Sequence, residues 1–145
     1  MFAMKQLAPS LLVIPLALAG GCGAPPAQGG APSFPETSFL SVTSDHSVAH
    51  LALFASPSQP PARGLSDIEY AITDGAGAPL AGLAVAVTPW MPDMGHGSTA
   101  PQVEETAPGH YLLRDVSMFM PGRWQLRTTL GGTASDTVTP ELDIP

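Results

Sequence analysis

The sequence predicts an all-β protein, a single immunoglobulin-like antiparallel β-sandwich of about seven strands. Short runs in which apolar and polar residues alternate recur along the chain, and a period of two is expected of half-buried strands. Proline and glycine turns separate the runs, and no segment has apolar residues at helical spacing over three turns. About seven short strands in a domain of about 100 residues are typical of an immunoglobulin-like sandwich.

The strand candidates follow from this alternation in chain order. In the clearest of them Ile68, Tyr70 and Ile72 alternate with polar or small neighbours, and the turn Asp74-Gly75-Ala76-Gly77 ends the run. Glycine and aspartate at such a position favour a tight turn. The candidate runs are 38–43, 47–55, 67–72, 83–87, 110–119, 123–130 and, as the weakest, 135–144.

The run 110–119 changes its parity in the middle. Tyr111 and Leu113 point to one face, whereas Val116, Met118 and Met120 have the other parity. One extra residue near Arg114-Asp115 returns both groups to the same face. The sequence therefore predicts a β-bulge at this position.

The first 21 residues have the three parts of a secretory signal. Lys5 precedes an apolar stretch at 7–19, and small residues follow it directly before Cys22. The stretch is too short and too interrupted by proline to form a stable membrane-spanning helix. Leu18-Ala19-Gly20-Gly21-Cys22 resembles the bacterial lipobox, which implies cleavage before Cys22 and acylation of its thiol. An ordinary signal followed by a chance cysteine is the alternative.

Composition divides the rest of the chain into a tether and a domain. Residues 22–36 are rich in glycine, proline and alanine and lack periodicity, so they bury too little apolar surface to offset their ordering entropy. We expect a flexible tether at 22–36 and one β-sandwich domain at 37–145. Because acyl chains insert into the bilayer, the expected partner is a membrane. We expect the protein in the cell envelope. In a Gram-negative cell we expect it at the outer membrane, facing the periplasm, because the residue after Cys22 is Gly23 and not the aspartate that retains lipoproteins in the inner membrane.

Charge and cysteine content exclude several classes of function. Without Lys5 the chain has four arginines and twelve acidic residues, so it repels nucleic acid. Cys22 is the only cysteine, which leaves no disulfide and no free thiolate in the domain. Ser98 lacks the surroundings of a nucleophile elbow, and an enzyme is not expected. The remaining histidines and the carboxylate pairs are interpreted as solvated, the latter on a strand face and in a loop: His46, His50, His110, Asp67 with Glu69, and Glu104 with Glu105.

The methionines outside the signal form two groups. All four lie in the segments 90–98 and 118–120; Trp90 begins the first segment and Trp124 follows the second. Copper(I) is a soft ion that suits thioether sulfur and imidazole nitrogen, whereas zinc is disfavoured without cysteine or clustered histidine. The candidate ligands of copper(I) are Met91, Met94, His96, Met118 and Met120, and the candidate supporting residues are Trp90, Pro92, Gly95, Gly97 and Trp124.

Structural packing is the alternative interpretation of these methionines, and it remains open at this point. Met91 then lies beneath Trp90, and the downstream pair packs on Trp124 through sulfur–aromatic contacts. His96 then holds the loop by a hydrogen bond. In this case no cofactor is expected, and the loop has a structural role or binds another protein of the cell envelope.

The segment Trp90-Met91-Pro92-Asp93-Met94-Gly95-His96-Gly97-Ser98 carries a family resemblance. With Gly109-His110-Tyr111 and the spacing of Met118, Met120, Gly122 and Trp124, it resembles the YtkA-like domain, a relative of FixH-type proteins, over roughly 63–130. The resemblance implies an immunoglobulin-like sandwich in a small exported or membrane-tethered protein. It also implies copper handling or support of respiratory oxidase assembly. A looser similarity links the loop to periplasmic copper(I) chaperones.

Overall fold

The computed structural model describes residues 30–145. The predicted signal, Cys22 and most of the predicted tether lie outside these residues. Residues 30–145 contain ten strands and no helix. These residues therefore include no helix that could cross a membrane. The strands are β1 (Leu40–Thr43), β2 (His50–Ser56), β3 (Gly64–Thr73), β4 (Ala84–Met91), β5 (His96–Gly97), β6 (Gln102–Ala107), β7 (His110–Met118), β8 (Gly122–Gly131), β9 (Asp136–Val138) and β10 (Glu141–Ile144).

The strands form two antiparallel sheets, which confirms the predicted β-sandwich. Sheet A has the order β1-β2-β3-β7-β6, and sheet B has the order β10-β8-β4-β5, with β9 also paired to β8. Sequential hairpins build β1-β2-β3 and β6-β7, while β3 and β7 pair across a long stretch of sequence. The segment between β3 and β7 contains β4 and β5, which belong to the other sheet. The chain therefore crosses between the sheets on either side of the methionine-rich loop.

The core lies between the two sheets and follows the predicted alternation. In β3, Ile68, Tyr70 and Ile72 are buried, and in β8 the same is true of Trp124 and Leu126. Each such side chain contributes about 1.5–3 kcal/mol when it leaves water. Alternating residues thus determine which face of each sheet turns inward.

Three strands differ from the expectation of about seven. The run 135–144 is divided into β9 and β10 at Thr139-Pro140, and β5 is only two residues long. The segment expected to be a solvated loop at Glu104-Glu105 is strand β6, so that interpretation was wrong. Because β6 is an edge strand with nearly every side chain exposed, it lacks the apolar alternation that indicates a strand.

The predicted bulge in β7 is confirmed. Ser66 pairs with Val116 and Ile68 pairs with Leu113, so two residues of β7 face one residue of β3. Asp115 has a φ of 53°, and its N–H donates to the Asp67 carboxylate at 3.0 Å. Because of the extra residue, the apolar side chains before and after the bulge point to the same face of sheet A, and Met118 lies in the core.

The last residues of the predicted tether lie against sheet A. Ala31, Pro32 and Phe34 line a small cleft together with Leu112 of β7. Leu112 is buried although its neighbours Tyr111 and Leu113 point to the core, and Phe34 is half-buried. Contact between this segment and the outer face of sheet A accounts for the burial of Leu112.

Candidate metal centre

The loop between β4 and β5 is a tight four-residue turn. The carbonyl oxygen of Met91 accepts hydrogen bonds from the N–H of Met94 at 3.3 Å and from the N–H of Gly95 at 3.0 Å. Pro92 occupies the second position of this turn, which proline favours. Gly95 has a φ of 68°, a conformation that costs glycine least. The loop therefore closes directly onto His96.

The register of this hairpin places His96 opposite Met91. Directly opposite residues of an antiparallel pair point to the same face, with their Cβ atoms about 4.5–5.5 Å apart. Met91 points into the core and is 3% exposed. His96 is exposed because β5 is the edge of sheet B. An imidazole thus lies at the rim of the sandwich beside a buried thioether.

The second methionine segment follows the end of β7. Met118 pairs with Gly64 and is completely buried, whereas Phe119 is 63% exposed. Met120 is half-buried and packs on the edge of the core. The indole N–H of Trp124 donates to the carbonyl oxygen of Met120 at 2.9 Å. This bond fixes the backbone turn between β7 and β8.

Two contacts bring the methionine segments together at one end of the sandwich. The guanidinium of Arg123 donates to the Asp93 carboxylate at 3.1 Å, which joins the β4–β5 loop to the start of β8. A β-carbon at Gly122 would lie 3.3 Å from the methyl carbon of Met91. The absence of a side chain at Gly122 therefore gives the Met91 methyl its place. We call this region, residues 91–96 with 118–122, the methionine end.

The five candidate ligands differ in how accessible they are. Met94 is 57% exposed, and His96 is also exposed. Met120 is half-buried, while Met91 and Met118 belong to the hydrophobic core. One thioether and one imidazole are thus open to solvent, and the other three thioethers are half-buried or buried.

The supporting residues have separate structural roles. Trp90 points to the outer face of sheet B and lies under the Arg127 guanidinium, because neighbouring residues of a strand point to opposite faces. The expectation that Met91 lies beneath Trp90 was therefore wrong. A β-carbon at Gly97 would meet the Pro89 carbonyl oxygen and the Trp90 ring, so glycine is needed for β5 to approach β4.

Carboxylates contribute little at the methionine end. Within residues 30–145 there is no group of three or more histidine, cysteine, aspartate or glutamate residues arranged to hold a metal ion. Asp93 is paired with Arg123, and both side chains are about half-exposed. The donor set at this end consists of soft sulfur and one borderline nitrogen.

Sequence reasoning missed the contacts that hold the loop in place. Asp93 and Arg123 are thirty residues apart, and neither has a periodic pattern around it that indicates pairing. The available signal was an acidic residue within the methionine loop and a basic residue directly after Gly122. Because the chain has only five lysine and arginine residues, Asp93 had few possible basic partners.

Comparison with known proteins gave one informative result. No curated protein and no solved structure matched the chain. A family model described as YtkA-like matches residues 46–129, which is more than half of the 145 residues and includes the whole β4–β5 loop and the segment 118–122. The chain therefore belongs to the YtkA-like family.

Proposed function

We propose that this YtkA-like protein is a lipid-anchored protein of the cell envelope that binds copper(I) at its methionine end, for copper handling or oxidase assembly. The observation that carries the proposal is the register of β4 and β5, which sets the exposed His96 beside Met91. The contacts of Arg123 and Gly122 support it by joining the loop to the downstream methionines.

The chemistry of the donors favours copper(I) over harder ions. Thioether sulfur is a soft ligand and imidazole is borderline, and copper(I) accepts both without a strong geometric demand. Thioethers, unlike thiolates, need no deprotonation before they bind the ion. Hard ions such as Mg²⁺ require several oxygen ligands, which the methionine end does not offer.

Accessibility suggests a division of roles among the ligands. Met94 and His96 are exposed and make the first contact with the ion. Met91 lies opposite His96 and Met120 is half-buried, so a small movement of either thioether completes the coordination. Met118 is fully buried, and it coordinates only if this end of the sandwich opens further.

Competition with a chromogenic copper(I) chelator tests the proposal. We expect the full chain in detergent to withdraw copper(I) from the chelator. Met94→Leu combined with His96→Gln should weaken binding at least tenfold, because the first two ligands are lost. The matched control is His50→Gln, which removes an exposed histidine of sheet A at the end of β2 that pairs with Thr73, outside the methionine end. This variant should bind copper(I) like the unmodified chain. Equal competition by the unmodified chain and the double variant would contradict the proposal.

A second candidate function is docking of another cell-envelope protein at the same end. Among residues 30–145, four large apolar side chains are exposed, and three of them, Leu65, Met94 and Phe119, lie at or next to the methionine end. Exposed apolar groups that cluster indicate an interaction surface, and methionine adapts well to a partner. Phe119→Ser should then abolish a specific complex while copper(I) binding and the unfolding temperature stay unchanged. Loss of folding in this variant would assign Phe119 a structural role instead.

A further inference from the structure

The outer face of sheet B carries a regular arrangement of side chains around Arg127. Thr88 of β4 lies directly opposite Arg127, and Thr129 is opposite both Ala86 and Thr137. Gln125 is opposite Trp90 on one side and Glu141 on the other. All these side chains alternate with core residues, so they share the face that points away from the core.

Arg127 is held in place without a carboxylate. Its guanidinium carbon lies 4.5 Å from the centre of the Trp90 ring, and its Nε and one terminal nitrogen donate to the Gln125 amide oxygen at 3.3 and 3.2 Å. No acidic side chain within residues 30–145 forms an ion pair with it. Since a guanidinium has five N–H donors, several of them remain available.

The other arginines of the described chain are engaged differently. Arg114 pairs with Glu104 and Arg123 pairs with Asp93, and Arg63 donates to the carbonyl oxygen of Pro145. In a chain with a formal net charge of −7, a positioned cation with unused donors is unusual. Its position suggests a negatively charged group as the ligand.

A shallow cleft of about 450 Å³ lies over Arg127. This volume is in the range of small-molecule sites, about 300–1,000 Å³. Its polar lining consists mainly of hydroxyl groups, which both donate and accept hydrogen bonds. The exposed hydroxyl-bearing and charged residues of the lining are Thr88, Thr129, Thr137, Thr139, Asp45 and Arg127, beside Trp90, whereas the hydroxyl of Thr128 points into the core.

We propose that this cleft binds an acidic sugar, a polyhydroxylated ring with one carboxylate. The carboxylate pairs with the free edge of the Arg127 guanidinium, an arrangement that gives strong charge-assisted hydrogen bonds. The threonine hydroxyls bind the ring hydroxyls. A polyanion is disfavoured because Asp45 and Glu141 are close by, and an aromatic ligand is disfavoured because Arg127 already covers the Trp90 ring.

This site is separate from the methionine end. Trp90 and Met91 are neighbours in β4, but they point to opposite faces of sheet B. The acidic-sugar proposal therefore does not rest on copper binding, and Met94→Leu combined with His96→Gln should leave sugar binding unchanged.

Isothermal titration of the full chain in detergent with glucuronate tests the proposal. We expect saturable binding of glucuronate, binding at least tenfold weaker for glucose, which lacks the carboxylate, and equally weak binding for acetate, which lacks the hydroxyls. Arg127→Gln should abolish binding and Thr88→Val should weaken it. Arg114→Gln, which removes an arginine from sheet A, is the matched control and should bind normally.

Any one of four results would overturn the proposal. Equal binding of acetate and glucuronate would reduce the site to an anion site, and equal binding of glucose would remove Arg127 from recognition. Binding that persists in Arg127→Gln would place the sugar elsewhere. If Arg127→Gln does not fold, Thr88→Val decides the question, because an exposed threonine on a strand accepts valine with little effect on stability, and unaltered glucuronate binding in this variant would contradict the proposed cleft.

Discussion

Asp136 connects the turn before β2 to the start of β9. Its carboxylate accepts the His46 ring N–H at 2.7 Å and the backbone N–H groups of His46 at 3.0 Å and of Thr137 at 2.8 Å. Hydrogen bonds from the Ser44 hydroxyl and from His46 hold the pKa of Asp136 well below its ordinary value. The same carboxylate raises the pKa of His46 through its hydrogen bond and then its charge.

This pair predicts how stability depends on pH. The raised pKa of His46 gives stability that is fully present below its ordinary value of 6.5 and is lost as the pH rises through the folded value. The lowered pKa of Asp136 gives stability that is present above its ordinary value of 3.8 and is lost on acidification. The pair therefore stabilises the fold most between these two pH values.

His46→Gln tests this dependence. We expect the variant to unfold at a lower temperature than the unmodified chain at about pH 5.5, and the difference to shrink at about pH 9, because the contribution of His46 is lost as the pH rises through its folded pKa. Thermal unfolding followed by circular dichroism at the two pH values measures it. A difference of the same size at both values would contradict the assigned role of the ion pair.

Tyr111 predicts a second effect at the scale of single residues. Its hydroxyl donates to the Leu80 carbonyl oxygen at 2.7 Å and accepts from the buried N–H of Leu83 at 3.0 Å. Tyr111→Phe leaves that N–H without a partner, so we expect a loss of about 1–3 kcal/mol in the free energy of unfolding. Chemical denaturation measures this loss.

Tyr70→Phe is the control for Tyr111→Phe. The Tyr70 hydroxyl lies 3.3 Å from the Thr128 hydroxyl, which also donates to the Leu126 carbonyl oxygen. Because Thr128 keeps this partner, the loss should be smaller than for Tyr111→Phe. Equal losses in the two variants would contradict the stabilising role given to the hydrogen bonds between Tyr111 and the Leu80–Leu83 segment.

At the scale of elements, the β4–β5 hairpin depends on Gly97. A β-carbon there would meet the Trp90 ring at 3.0 Å and the Pro89 carbonyl oxygen, so Gly97→Ala should separate β5 from β4. We expect faster amide exchange at His96 and Ser98 and weaker copper(I) binding, since His96 then loses its place beside Met91. Gly75→Ala, with no atom within 4 Å of the new carbon and no positive φ, should change neither quantity. Normal exchange and normal binding in Gly97→Ala would contradict the role given to the hairpin register.

The elements that the sequence predicted are those that bury one face. β3 and β8 alternate between core and solvent along most of their length, and the bulge in β7 was visible because the core requires Tyr111 and Val116 on one side. β6 exposes every side chain except that of Val103, so its strand conformation comes from pairing with β7 and not from an alternating pattern of its own. β5 exists only because the loop returns the chain to β4.

The candidate site was predictable in its composition and less so in its geometry. The grouping of Met91, Met94 and His96 is visible in the sequence, and so is the downstream pair. Their differing burial was not, because it depends on which sheet face each residue occupies after the chain has crossed between the sheets. The Asp93–Arg123 contact likewise depends on tertiary structure alone.

At the scale of the whole molecule, the sandwich separates two surfaces on one strand. β4 presents Met91 to the core side at the methionine end and Trp90 to the outer face below Arg127. The proposed ligands of the two sites are different residues, so substitutions of Met94 and of Arg127 are expected to act independently.

The proposed lipid anchor belongs to the same scale and depends on Cys22, which lies outside the described residues. We expect the chain expressed in a bacterial host to fractionate with membranes and to incorporate labelled palmitate. Cys22→Ser should lose the label and appear in the soluble fraction of the envelope, because two or more acyl chains are needed for stable anchoring. Ala24→Ser is the control and should stay in the membrane fraction. Membrane retention of Cys22→Ser without label would contradict acylation as the anchor.

In the proposed complex, the methionine end holds copper(I) through sulfur and one imidazole. X-ray absorption at the copper edge of the loaded full chain tests it directly, since it identifies the atoms bound to the ion. We predict sulfur neighbours together with one nitrogen neighbour, and the loss of that nitrogen in His96→Gln while sulfur remains. A copper environment of oxygen and nitrogen alone, or one unchanged in His96→Gln, would contradict the claim.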